Sequence, residues 1–165
     1  MYVLSLPVRL RTTWTSNVID GVTVTPLRII ADSKGSVLHM IRADSPTFLG
    51  FGEIYFSSVH FRSVKAWKRN ASATAHFAVP VGEISMALFD NRPTSPTCGH
   101  LETLTVGRSQ YVLVTVPPKI WYGFQGLTNP EALIVNCLDR QYDASQTDRL
   151  EYPSETVPHL WPELE

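Results

Sequence analysis

The sequence predicts an all-β fold, a barrel or sandwich of short antiparallel strands. Strand-like runs follow one another at intervals of roughly 8–12 residues, the spacing of all-β architectures. Twelve prolines and nine glycines punctuate 165 residues, and no long stretch keeps a helical period. From Phe51 to Arg92, alternating apolar and polar side chains flank a turn at Gly82. That pattern belongs to antiparallel strands with one buried face.

Taken in order, residues 1–17 are expected to form an arm or edge strand, 18–138 the barrel, and 139–165 a tail of loop and short turns. Together they make one domain, 1–165. Candidate strands are Val22 to Pro26, Ser36 to Ile41, Glu53 to Val59, Val64 to Trp67 and Thr74 to Val81. Glu83 to Phe89, His100 to Val106, Tyr111 to Val116, Trp121 to Gly126 and Ala132 to Leu138 follow. Turn chemistry separates them. Asp32-Ser33-Lys34-Gly35 offers a glycine for positive φ. Pro117-Pro118 removes two backbone donors and so belongs at a strand end, and Asn129-Pro130 marks another turn.

Composition narrows the partners. A net charge of −1 argues against nucleic acid and against a membrane surface. No apolar run is long enough to span a bilayer, and the N-terminal stretch, broken by Pro7, does not read as a signal peptide. Cys98 and Cys137 sit in unlike contexts and read as two free thiols in a reducing cytoplasm.

His39, His60, His76, His100 and His159 form neither His-x-His nor His-x-x-x-His, so no metal is expected. No Gly-x-Ser-x-Gly elbow and no glycine-rich phosphate loop occur. What remains is a cationic and aromatic cluster: Lys65, Trp67, Lys68 and Arg69, expected together on a loop at the barrel mouth, with Arg92, Trp121 and Tyr122. Guanidinium groups can clamp a phosphate and aromatic rings can stack on a base or sugar. The same residues could equally be core tryptophans beside a solvated basic face.

Several pieces together resemble a known family. They are Asp32-Ser33-Lys34-Gly35-Ser36, Phe51-Gly52-Glu53-Ile54-Tyr55, Val64-Lys65-Ala66-Trp67, Gly82 with Leu88-Phe89-Asp90-Asn91-Arg92, and Pro117-Pro118-Lys119-Ile120-Trp121-Tyr122-Gly123-Phe124. In this order and spacing, over roughly residues 18 to 153, the chain resembles the dTDP-4-dehydrorhamnose 3,5-epimerases, a branch of the cupin fold. It is most similar to shorter relatives with a Lys-Ala/Gly-Trp-His-x-His motif. The resemblance implies a cupin jelly-roll barrel, a homodimer that exchanges N-terminal strands, no metal or other cofactor, and a pocket for a nucleotide-diphosphate sugar. It implies proton abstraction beside the ketone of a dTDP-linked 4-keto-6-deoxy sugar, with Lys65, Glu53 and Arg92 kept as substrate ligands. Trp67, Arg69 and Trp121 join them as substrate-binding candidates from the cationic and aromatic cluster.

The acid–base residues depart from the family. Its catalytic histidine falls on Lys68 and the second histidine of the shorter relatives on Asn70. Its tyrosine falls near Val135, beside Asn136, and the histidine of its Pro-Pro-x-x-x-His-Gly-Phe is Tyr122. The orienting carboxylate corresponds to Glu151 or Glu155. Lys68, Tyr122 and His76 would then share the proton transfers. A free lysine has a pKa of about 10.4 and is protonated at neutral pH. Burial could lower that, but a diphosphate and nearby carboxylates favour the charged form. Lys68 is therefore expected more as an ammonium that binds phosphate or stabilises an enolate than as a base. Three readings stay open: an isomerase with rearranged acid–base groups, an inactive or repurposed sugar-nucleotide-binding protein in surface-polysaccharide synthesis, and a cupin of unrelated role.

Overall fold

The computed structural model of the chain describes residues 19–163. The arm expected over residues 1–17 lies outside the described residues. The strands are β1 (Thr23–Pro26), β2 (Ile29–Asp32), β3 (Gly35–Leu38), β4 (Glu53–His60), β5 (Val64–Asn70) and β6 (Ala75–Val81). They continue with β7 (Glu83–Asp90), β8 (Leu101–Gly107), β9 (Val112–Val116), β10 (Ile120–Gly126), β11 (Glu131–Leu138) and β12 (Thr147–Arg149). One 3-10 turn, Ala144–Gln146, precedes β12.

Two five-stranded sheets face each other, ordered β1-β9-β6-β11-β4 and β12-β5-β10-β7-β8, and β2-β3 is a separate hairpin. Alternation explains how they pack. On β7, Ile84, Met86 and Leu88 enter the core between the sheets, while Ala87 and Phe89 join a second apolar cluster on the outer face. On β10, Ile120, Tyr122 and Phe124 point inward and Trp121 outward. That outer cluster is closed by Val157 and Trp161 of the tail, so every β10 residue is buried. A strand covered on both faces reads as a continuous apolar run, as Ile-Trp-Tyr-Gly-Phe does.

The turns follow from side chains. Asp32 accepts hydrogen bonds from the amides of Lys34 at 2.8 Å and Gly35 at 2.9 Å, which closes the β2–β3 hairpin. Gly82 links β6 to β7 at φ +73, and a Cβ there would lie 3.0 Å from Ala132.

Three elements differ from the sequence expectation. β2 was not expected, because its four residues are all exposed and its pairing rests on the adjacent turn. β12 lies in the tail expected to be loop, and Thr-Asp-Arg carries no alternation to reveal it. β5 runs on to Asn70, so Lys65 to Arg69 lie within a strand rather than on a loop. β12 holds that end of β5 in place, pairing Thr147 with Asn70 and Arg149 with Lys68.

Candidate active site

β5 and β10 pair with Lys68 opposite Tyr122 and Lys65 opposite Phe124. Three residues' advance on β5 thus matches two on β10, a bulge centred on Ala66 and Trp67. One extra residue resets the alternation. Lys65 and Lys68 therefore both line the inner cavity, although uninterrupted pleating would send them to opposite faces. Trp67 is turned outward instead, buried against Trp161 with ring centroids 4.9 Å apart.

The cavity between the sheets has a volume of about 640 Å³, within the range of small-molecule sites. β4 and β11 form one wall with Glu53, Tyr55, Ser57 and Asn136. β5 and β10 form the opposite wall with Lys65, Lys68 and Tyr122. The tail supplies Tyr142, Arg149 and Glu151 at the rim. Lys65 Nζ donates to Ser57 Oγ at 3.0 Å and to the Ser58 carbonyl at 2.7 Å. Lys68 Nζ donates to Tyr55 Oη at 3.3 Å and lies 5.6 Å from the Tyr55 ring centre and 5.5 Å from that of Tyr142. Asn136 Nδ2 donates to the same Tyr55 oxygen at 2.6 Å.

Burial lowers the pKa of Lys68, Arg149 lowers it further, and Glu53 opposes both. Its uncharged fraction at neutral pH therefore exceeds that of a free lysine. Burial, and then proximity to Tyr55, raises the pKa of Tyr122, against a weaker opposing influence of Asn70. The Tyr122 hydroxyl lies buried beside Asn70 without a hydrogen bond of normal geometry. Tyr55 is also raised, first by burial, with the Asn136 amide acting the other way. Both phenols are thus held as donors at neutral pH. The cavity pairs an amine of weakened basicity with two protonated phenols, a set that can remove a proton and return one.

Of the residues expected from sequence, Lys68, Tyr122, Lys65, Glu53 and Trp67 line this cavity, Trp67 with its side chain directed to the outer cluster. Four do not. His76 faces the other way from its neighbour Phe77, which does line the cavity, and its Nδ1 pairs with Thr115 Oγ1 at 3.1 Å. Trp121 is one residue from Tyr122 on a regular strand, so it points outward, with the Arg69 guanidinium 4.5 Å from its ring centre. Arg69 is also tied to Asp148 at 2.6 Å. Arg92 is held by Asp90 at 2.9 Å and by the Asp20 carbonyl at 2.7 Å. Sequence reasoning missed Tyr55, Ser57, Tyr142 and Arg149 as site residues. The parity of β4 could have found the first two, since Glu53, Tyr55 and Ser57 share one face.

Among the described residues no group of three His, Cys, Asp or Glu side chains could hold a metal ion. No described helix is long and apolar enough to cross a membrane.

Three relatives frame the site. The structure of a dTDP sugar isomerase from Desulfovibrio desulfuricans G20 superposes with a TM-score of 0.85 at 44% identity, covering 87% of this chain and 92% of that one. A probable low-salt glycan biosynthesis epimerase of Haloferax volcanii is 29% identical over 82% of this chain and 88% of its own length. A spore coat polysaccharide biosynthesis protein of Bacillus subtilis is 25% identical over 87% of this chain and 96% of its own. No family model matches the sequence.

Proposed function

The chain belongs to the dTDP-sugar isomerase family with the cupin jelly-roll fold, and we propose from that membership that it isomerises a dTDP-linked 4-keto-6-deoxy sugar by proton abstraction beside the ketone. The observation that carries the proposal is Lys68, half-buried with a lowered pKa and paired across the bulge with the protonated Tyr122. Lys68 Nζ takes the proton from carbon. The electrons of the C–H bond pass into an enolate, and the Tyr122 hydroxyl, beside Lys68 on the same wall, returns a proton to that carbon. Lys65 and Arg149 supply positive charge for the diphosphate, where the sequence reading had placed Arg69 and Arg92. His76, directed away from the cavity, drops out of the proton transfers.

Two further features belong to this reading. The protein works as a homodimer, supported by the edge strand β4 and its approach, where Phe51, Ile54 and Phe56 are exposed. It acts in the cytoplasm without nucleic-acid or membrane partners, where the free, exposed Cys98 thiol stays reduced.

The test is incubation with dTDP-4-keto-6-deoxy sugars in heavy water, followed by NMR. Deuterium should enter at C3 or C5. Thymidine diphosphate binding without exchange on any such sugar would replace this reading with that of a binding protein.

A further inference from the structure

We infer that Tyr55 is the hydrogen-bond donor to the ketone oxygen, a catalytic role separate from the carbon-directed transfers of Lys68 and Tyr122, and one that rests on the isomerase reading above. A phenol has one hydrogen to give and two lone-pair directions to receive. Both receiving directions of Tyr55 are filled, by Asn136 Nδ2 at 2.6 Å and by Lys68 Nζ at 3.3 Å. With both contacts donating to it, its own hydrogen makes no hydrogen bond among the described residues. Tyr55 lines the cavity, and its register partner across β11 is Asn136, so the amide that fixes the phenol is fixed by the ladder itself. The Glu53 carboxylate lines the same cavity but makes no hydrogen bond with this hydroxyl. A half-buried donor left open toward a cavity is complementary to a single oxygen acceptor.

The location suits the reaction. A ketone oxygen and the adjacent carbon are separated by two bonds, and Tyr55 Oη and Lys68 Nζ are in contact. A substrate that offers its C–H to Lys68 therefore brings its oxygen to Tyr55. The proton account closes without a further reactant. As the C–H bond breaks, its hydrogen joins Lys68 nitrogen, its electron pair forms the carbon–carbon double bond, and the carbonyl π pair moves to oxygen. Lys68, now an ammonium, donates to Tyr55 Oη, which polarises the phenol toward the new oxyanion. The contact strengthens as charge develops, which favours the transition state over bound substrate. Reprotonation of carbon by Tyr122 reverses the electron shifts, and the proton held by Lys68 then passes to the Tyr122 phenolate, its register partner, which restores both groups.

Tyr55→Phe keeps the ring beside Lys68 and removes only the hydroxyl. With the keto sugar in heavy water, its kcat for deuterium entry should fall by about 10²–10³-fold, the loss typical of an oxyanion donor, while KM and thymidine diphosphate affinity change little. A fluorinated tyrosine installed at position 55 has a more acidic phenol. It should move the alkaline limb of the kcat profile to lower pH, which a purely structural role would not do. An active wild type with an equally active Tyr55→Phe variant, or an alkaline limb indifferent to fluorination, overturns the role of Tyr55 and leaves the isomerase reading standing. A wild type that exchanges nothing overturns both.

Discussion

Replacing Trp161 with alanine tests whether the tail is part of the cooperative fold and of the site. The indole is 6% exposed, stacks on Trp67 at 4.9 Å, meets Tyr152 edge-on at 5.3 Å and donates from Nε1 to the Ser85 carbonyl at 3.2 Å. A tryptophan buries roughly 200 Å², which at about 25 cal/mol per Å² corresponds to about 4–5 kcal/mol of burial. Alanine retains the Cβ and the tail can settle partly into the gap, so the expected loss is about 3–4 kcal/mol, at the lower end of measured Trp→Ala costs. For a chain of this size that lowers the melting temperature by roughly 6–16 °C. The functional consequence follows from the backbone. Leu150 exchanges hydrogen bonds with Trp67 at 2.9 and 3.1 Å, and Arg149 sits opposite Lys68. Loosening the tail withdraws Arg149 from the cavity, so thymidine diphosphate affinity should fall with stability. Urea unfolding and calorimetry read the two effects. A loss below about 1 kcal/mol would mean that the tail opens by itself, as weakly coupled segments do, and the reasoning that makes it a structural wall would be refuted.

Three other substitutions probe neighbouring features. Lys68→Met should alter the pH dependence of stability. The folded pKa of Lys68 lies below its unfolded value of about 10.4, so between the two the unfolded chain binds more protons and stability rises with pH. The charged-state penalty in the wild type is full below the folded pKa and gone above the unfolded one. Urea midpoints should therefore favour the methionine variant most at pH 7, with the gap closing toward pH 10.5. Asp90→Asn should cost about 3–5 kcal/mol at pH 7, the typical effect of breaking a buried ion pair. Burial alone would raise this carboxyl, but hydrogen bonds from Arg92, Ser95 and Thr97 outweigh it and hold the pKa well below the usual range. The stabilisation is present above about pH 3.9 and is lost as pH falls through the folded value, so the difference between variant and wild type should narrow only in strong acid. Gly123→Ala would place a Cβ 2.5 Å from that of Ala66 and 3.0 Å from the Trp161 ring. The bulge must shift to admit it, and turnover should fall more steeply than thymidine diphosphate binding.

The strands were legible because their apolar side chains alternate and their turns carry glycine, proline or aspartate at the positions the geometry demands. Gly82 and the pair Pro117-Pro118 each sit at a strand boundary. The cavity was legible only in part. Lys68 and Tyr122 face each other across β5 and β10, and Lys65 and Glu53 line the same space. The bulge at Ala66 and Trp67 was not legible, because nothing in Lys-Ala-Trp-Lys-Arg-Asn marks where an extra residue is absorbed. Without it, period-two pleating puts Trp67 and Arg69 on the face of Lys65 and sends Lys68 to the other. Trp121 is a different case. It is adjacent to Tyr122 on one strand, and period-two pleating alone places the two on opposite faces. Arg149 reaches the cavity through β12 and its backbone pairing, a contact for which the side chains give no pattern, and Tyr142 enters from the loop before the 3-10 turn.

The amine at position 68 could serve as a base or as a fixed positive charge, and two substitutions separate these roles. Arginine keeps the charge and cannot lose its proton within a protein. Lys68→Arg should therefore abolish deuterium entry if the lysine takes a proton, and should preserve much of it if the lysine only stabilises an enolate. Histidine has the opposite properties. It is largely neutral above pH 7, with an ordinary pKa of about 6.5, and the burial that lowers Lys68 would also favour its neutral form. Lys68→His should therefore retain measurable exchange, with the acidic limb of its rate profile at lower pH than in the wild type. The geometry permits the exchange of residues because the bulge, not the side chain, directs position 68 inward opposite Tyr122. An active arginine variant beside an inactive histidine variant would show that the site needs the charge and that the base lies elsewhere in the cavity.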